Sequence, residues 1–184
     1  ISVTPERQQI VDFSNIYYIG DSAALVRSDA NLTIGKPGDM AGQQLAVEAG
    51  STHQNWAQVN LVDRGIIRQS DLFVMENVND MITALRDGAV DVALLGALPA
   101  ASLDARYPDL TIGGTGFNPQ QYAIAARNGS NLVEPINRAL IAIQADGRYG
   151  QLVQQYLTVN SAAPQPTGDT GLIPLPPVST TVPT

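Results

Sequence analysis

Leu45-Ala46-Val47-Glu48-Ala49-Gly50-Ser51-Thr52-His53-Gln54-Asn55-Trp56-Ala57-Gln58 is the stretch whose reading decides the fold. A short apolar run meets a Gly-Ser-Thr corner, and the corner opens a helix. A helix starting there aims its unpaired backbone N–H groups and the positive end of its dipole at whatever lies above the corner, which suits an anion. Ser51 and Thr52 supply hydroxyls for capping or for a ligand, and Gly50 permits close backbone approach. Corners of this kind recur in α/β proteins, mostly just to cap a helix, so this one needs a partner. Ile1-Ser2-Val3-Thr4-Pro5-Glu6-Arg7 supplies it: Thr4 reads as an N-cap, Pro5 as the first helical residue, and Arg7 as a cation on a short helix that Asp12-Phe13-Ser14-Asn15 breaks.

Working outward from the corner, strands and helices alternate. Tyr17–Gly20 and Ala23–Arg27 read as extended. The helix after the corner runs from about Ser51 to Val59, and Leu72–Met75 follows as a buried strand. Asn79–Arg86 is the clearest helix, with Val78, Ile82 and Leu85 on one face and Gly88 ending it. Asp91–Leu95 is another buried strand, Leu98–Ala105 a short helix, and Leu110–Ile112 and Tyr122–Ala125 two strands joined by a Gly113-Gly114 linker. Leu132, Ile136, Leu140 and Ile143 mark a helix, and Tyr149–Leu157 another. The alternation predicts an α/β sheet with helices on both faces, and ligands of such sheets collect where the Gly50 and Gly96 corners lie. Trp56 reads as core. Asp91 and Arg86 read as structural, and Glu134 and Asp146 as charges set by local helix electrostatics.

Composition narrows the function. The chain has 184 residues, 44% hydrophobic and 15% charged, enough for one sizeable domain or two small lobes. A formal net charge of -7 without any Lys/Arg cluster argues against nucleic acid as a partner. With Cys 0, disulfides, thiolate catalysis and zinc–sulfur sites are excluded, and a single histidine, His53, excludes multi-histidine metal sites. No metal or cofactor is expected. No apolar run is long enough to span a bilayer. The sequence opens at an element boundary without a Met, and further chain is expected upstream. From Asn160 onward Pro, Thr, Ser and Gly dominate, which predicts an extended tail.

Four segments, "SVTPERQQIVDFSNIYY", "DMAGQQLAVEAGST", "MITALRDGAVDVALLG" and "QQYAIAARNGSNLVEPINRALIAIQADGRYGQLVQQYL", resemble, in this order and spacing, the polar amino-acid-binding periplasmic proteins of ABC transporters. The resemblance covers roughly Ile1 to Leu157 and implies a two-lobed, type II Venus-flytrap fold. It places the end of lobe 1 and the first hinge at 1–19, a complete lobe 2 at 20–118, the second hinge and the closing helices of lobe 1 at 119–158, and the tail at 159–184. The hinge strands are expected near Tyr18–Ala23 and Phe117–Tyr122. The resemblance implies that most of lobe 1 precedes the first residue of this sequence. The family's Ser/Thr and Arg clamp on the ligand's α-carboxylate falls on Ser2 and Arg7, and a planar guanidinium matches a carboxylate bidentately. Thr52 takes the position that meets the same carboxylate from lobe 2, with Ser51 beside it and His53 on the rim. Gly96 is the departure. Amino-acid-binding members usually carry an Asp there for the α-ammonium, so either another acid substitutes or the ligand lacks that group. Glu48 is the nearest candidate, or else an exposed strand-end glutamate.

The resemblance implies a periplasmic or extracellular binding protein, not an enzyme, that closes on a small carboxylate or amino-acid-like ligand and presents it to a membrane permease. Two rivals share the scaffold. A sensory or scaffold domain would have kept the fold and lost transport. A cyclohexadienyl-dehydratase-like enzyme would need an acid in the cleft, for which Glu48 and His53 are the candidates.

Overall fold

The computed structural model describes residues 1–157; the extended tail expected at 159–184 lies outside them. In chain order the elements are α1 (Pro5–Gln8), β1 (Val11–Phe13), β2 (Tyr18–Gly20), β3 (Ser22–Arg27), β4 (Leu45–Glu48) and α2 (Thr52–Ala57). β5 (Leu72–Met75), α3 (Val78–Arg86), β6 (Val92–Gly96), α4 (Ala97–Arg106) and β7 (Leu110–Thr115) follow. β8 (Gln120–Tyr122), β9 (Ala125–Arg127), α5 (Val133–Ala145) and α6 (Arg148–Tyr156) complete the order.

Five strands form one mixed sheet in the order β5-β4-β6-β3-β7. β4 runs parallel to β5 and β6, while β3 is antiparallel to both β6 and β7. The period-2 side-chain alternation of strands sorts the apolar residues onto two faces. Ala24, Val26, Leu45, Val47, Val92 and Leu94 pack with Ala57 and Leu61 on one side. Ala23, Leu25, Ala46, Ala93 and Leu95 pack with Met81, Leu85 and Ala100, from α3 and α4, on the other. Trp56 packs against the first cluster, its ring centroid 6.1 Å from that of Phe117.

Local chemistry places the helix starts. Asn77 caps α3 by accepting the Asp80 N–H at 3.0 Å. Thr4 caps α1, where Pro5 occupies the first turn. The helix expected to stop near Val59 instead passes from α2 into a π-helical segment, Gln58–Val62, which lets Leu61 reach the core.

Three sequence expectations change. Asp12 and Phe13, read as part of the break after the first helix, lie in β1, which pairs with β9. The strand expected at Tyr122–Ala125 is two strands: β8 pairs with β2 and β9 with β1. Between them Ser14 and Ile124 exchange hydrogen bonds, with the Ser14 N–H on the Ile124 carbonyl and the Ile124 N–H on Ser14 Oγ, each at 2.9 Å. Gly113 and Gly114 are not a linker but lie inside β7, because a Cβ at Gly114 would stand 1.8 Å from the Ile34 carbonyl oxygen. The β2–β8 ribbon, in register Tyr18↔Tyr122 and Gly20↔Gln120, connects the large sheet to the β1–β9 end of the molecule. It is where the site forms.

Candidate functional site: an anchoring cavity and an apolar chamber

The Gly50–Thr52 corner follows β4 directly. Ser51 Oγ accepts the Gln54 N–H at 3.1 Å, and the Gln54 side-chain oxygen accepts the Gly50 N–H at 2.8 Å. This reciprocal cap fixes the corner and leaves the N–H groups of Thr52 and His53 as first-turn donors without an intrahelical acceptor.

The start of the chain lies against the β2–β8 ribbon. The Val3 N–H donates to the Gln121 carbonyl at 2.8 Å, the Ala123 N–H to the Ile1 carbonyl at 3.0 Å, and Ser2 bridges Tyr122. Arg7 reaches back from α1, with Nη1 donating to the Ser2 carbonyl at 3.0 Å. Among the described residues Arg7 forms no ion pair. A guanidinium carries five donors, so most of its hydrogen-bonding capacity is open to a ligand.

The two segments meet at one cavity of about 280 Å³, lined by Ser2, Arg7, Glu48, Ser51, Thr52 and His53. Gln120 and Tyr122 complete its wall. Sequence reasoning missed both. Gln120 is buried and is the hub of the site: its Oε1 accepts from Ser2 Oγ at 2.5 Å, Thr52 Oγ1 at 2.8 Å and Tyr122 Oη at 3.4 Å. Its Nε2 lies 3.3 Å from His53 Nε2. Burial lowers the His53 pKa to about 4, so the ring is neutral at pH 7 and Nε2 can accept from Gln120.

Gly96 stands apart from these residues. It lines a second, adjoining chamber of about 350 Å³, and Glu48, His53 and Tyr122 belong to the walls of both. The Glu48 carboxylate has no hydrogen-bond or ion-pair partner among the described residues. Asp21 also lines the chamber, but its Oδ1 accepts two backbone N–H groups, from Ser22 at 2.7 Å and Asn118 at 3.2 Å. It ties the corner between β2 and β3 to the segment that precedes β8.

The charged residues set aside in the sequence have local partners. Arg86 pairs with Asp109 at 2.6 Å and lies over the Tyr107 ring. Asp91 accepts the Gln44 N–H and pairs with Arg27. Glu134 pairs with Arg138, and Asp146 with Arg148.

The profile of the bacterial extracellular solute-binding proteins, family 3, matches residues 1–159. The chain belongs to that family. Among curated family 3 relatives, it is 27% identical over 158 residues to the L-cystine-binding protein TcyJ of Escherichia coli K12, covering 85% of this chain and 57% of TcyJ. It is 24% identical over 163 residues to the ABC transporter glutamine-binding protein GlnH of Bacillus subtilis, covering 88% of this chain and 57% of GlnH. The chain therefore spans little more than half the length of these relatives. Among solved structures, an ancestral arginine-binding protein bound to arginine superposes with a TM-score of 0.75 at 27% identity, over 86% of this chain and 69% of that one. The mixed sheet and its flanking helices thus have the type II periplasmic-binding-protein fold.

Proposed function

We propose that this family 3 chain belongs to an extracytoplasmic solute-binding protein that captures a small carboxylate-bearing, amino-acid-like ligand for ABC transport. The observation that carries this reading is Arg7, without an ion pair among the described residues, lining the same cavity as the Gly50–Thr52 corner. In a chain of net charge -7, that cavity gathers a guanidinium, the hydroxyls of Ser2, Ser51 and Thr52 and the open first turn of a helix on one spot. Such a set recognises a carboxylate by charge-assisted hydrogen bonds. The names of the relatives, binding proteins for cystine and glutamine, support the ligand class and a role other than catalysis.

Ser2 and Arg7 lie on the chain-start side of the β2–β8 ribbon, and Ser51 and Thr52 on the large-sheet side. Flexing at the ribbon brings the two half-sites together over the ligand and excludes water. Glu48, on the wall shared by cavity and chamber and without a side-chain partner among the described residues, supplies the counter-charge for an ammonium that Gly96 cannot. The closed form is what a membrane permease would recognise, which places the protein in the periplasm or at the cell surface.

Calorimetric titration of the full-length protein with single amino acids and organic acids tests the reading. Binding of at least one carboxylate is expected, and Arg7→Ala should weaken it by about 2–5 kcal/mol by leaving a desolvated carboxylate without its partner. Unchanged affinity in that variant would remove Arg7 from the site.

A further inference from the structure

The chamber beside the anchoring cavity carries a second layer of recognition. It lies past the C-terminal ends of β4 and β6, where α3 and α4 begin. The wall that it does not share with the anchoring cavity is mostly apolar, with Val78, Met81, Leu94, Leu95, Leu98 and Pro99 from α3, β6 and α4, and carries Tyr17, Tyr18 and Asp21 from the β2 side. Among the described residues, no lysine or arginine lines it. Its two acids are Glu48, at the junction with the anchoring cavity, and Asp21, whose Oδ1 is bound to the backbone N–H groups of Ser22 and Asn118. His53, also at the junction, is neutral at pH 7. A negative charge carried past Glu48 would therefore lose its water and meet no cation, and a positive one would meet only the Asp21 carboxylate, already bound to two backbone N–H groups, so either is costly. Apolar atoms entering the same space are favoured. At about 350 Å³ the chamber falls within the size range of ligand pockets, and it is wide enough for a branched aliphatic or single-ring side chain.

From this division of labour we infer that the ligand is an amino acid with an uncharged, apolar side chain: its carboxylate at Arg7, its ammonium at Glu48, and its side chain in the chamber walled by Val78, Met81, Leu98 and Pro99. The inference rests on the carboxylate reading above, and it separates this chain from relatives named for arginine or glutamine.

The test is calorimetry on the full-length protein with leucine, phenylalanine, alanine, glutamine and arginine, plus p-cresol as a probe lacking both charged groups. Leucine or phenylalanine should bind at least about tenfold more tightly than alanine, the range expected when added apolar groups fill a pocket, and more tightly than arginine. Leu98→Asp, at a partly exposed position, should bring arginine above leucine. Tight binding of arginine or glutamine with weak leucine overturns the inference while leaving the carboxylate reading intact. If no amino acid binds but p-cresol does, and Leu98→Asp abolishes it, the chamber is an apolar site and the carboxylate reading fails. If neither class binds, both fall.

Discussion

Gln120 Oε1 accepts a hydrogen bond from Thr52 Oγ1 at 2.8 Å, and so ties the β2–β8 ribbon to the first turn of α2. The same oxygen takes the Ser2 hydroxyl from the chain start. The amide thereby occupies donors from both half-sites that the proposed function assigns to a carboxylate, and ligand and Gln120 compete for them.

Two substitutions should move in opposite directions. Gln120→Ala leaves the buried Ser2 hydroxyl unpartnered and should cost about 1–3 kcal/mol of stability, while strengthening carboxylate binding about tenfold. Gln120→Glu puts a carboxylate on the same donors, a resident mimic of the ligand. It should raise the ligand-free melting temperature and suppress binding. Scanning calorimetry with and without ligand checks both. Parallel losses of stability and affinity in the two variants would show that Gln120 supports the ligand site instead of competing for it.

Much of this was legible in the sequence, and the boundary is physical. The run Ala23, Ala24, Leu25, Val26 announces a strand buried on both faces, and Asn77 before the Val78–Arg86 stripe announces a capped helix. The corner and Arg7 were readable as anion-seeking groups, and the structure brings them to one cavity. Gln120 was not readable. Its partners lie 68 and 118 residues away, and a polar residue in a three-residue strand has no periodicity to mark it. β1 and β9 are hidden for the same reason of length. Gly113-Gly114 misleads because glycine usually punctuates a chain, whereas here another backbone passes too close for a side chain.

That close passage predicts a sharp contrast between glycines. The Ile34 N–H donates to the Gly113 carbonyl at 2.8 Å, and a Cβ at Gly114 would sit 1.8 Å from the Ile34 carbonyl oxygen. Gly114→Ala must displace backbone next to the buried Ile34 and Phe117, and should destabilise by more than about 3 kcal/mol or prevent folding. Gly38→Ala has nothing within 4 Å of the new atom and should change stability by under about 1 kcal/mol. Urea denaturation of both variants makes the comparison.

His53 predicts a pH dependence. Burial holds its pKa at about 4 in the folded protein, against an ordinary value of 6.5 that applies once the chain unfolds. Between these values the unfolded chain binds more protons, so stability falls as pH drops through the window. Above about pH 6.5 the effect is absent, and by about pH 4 the loss approaches 3 kcal/mol, because each pH unit separating the two values is worth about 1.36 kcal/mol. His53→Gln should be less sensitive than the wild type between pH 7 and 4, carboxylates elsewhere contributing equally to both. Identical pH profiles of melting temperature would mean that the ring titrates in the folded state at its ordinary value.

Gly96 bears on the ammonium. Its backbone, at φ -62 and ψ 144, suits any residue, and an added Cβ would make only an ordinary contact, 3.4 Å from Pro99 Cδ. Gly96 is also the N-cap of α4 without a side-chain cap, so Gly96→Asp should fold and gain a few tenths of a kcal/mol from capping. The functional effect is read from a ligand pair, leucine and 4-methylpentanoate, which share a carboxylate and an apolar chain and differ in the amine. In the wild type the preference for the amine should depend on Glu48, so Glu48→Gln should remove it. Adding Gly96→Asp to that background should restore a preference of about 2 kcal/mol or more, because a carboxylate again faces a desolvated ammonium at the end of β6. Retention of the amine preference in Glu48→Gln alone would transfer the role to Asp21, the other acid on that wall.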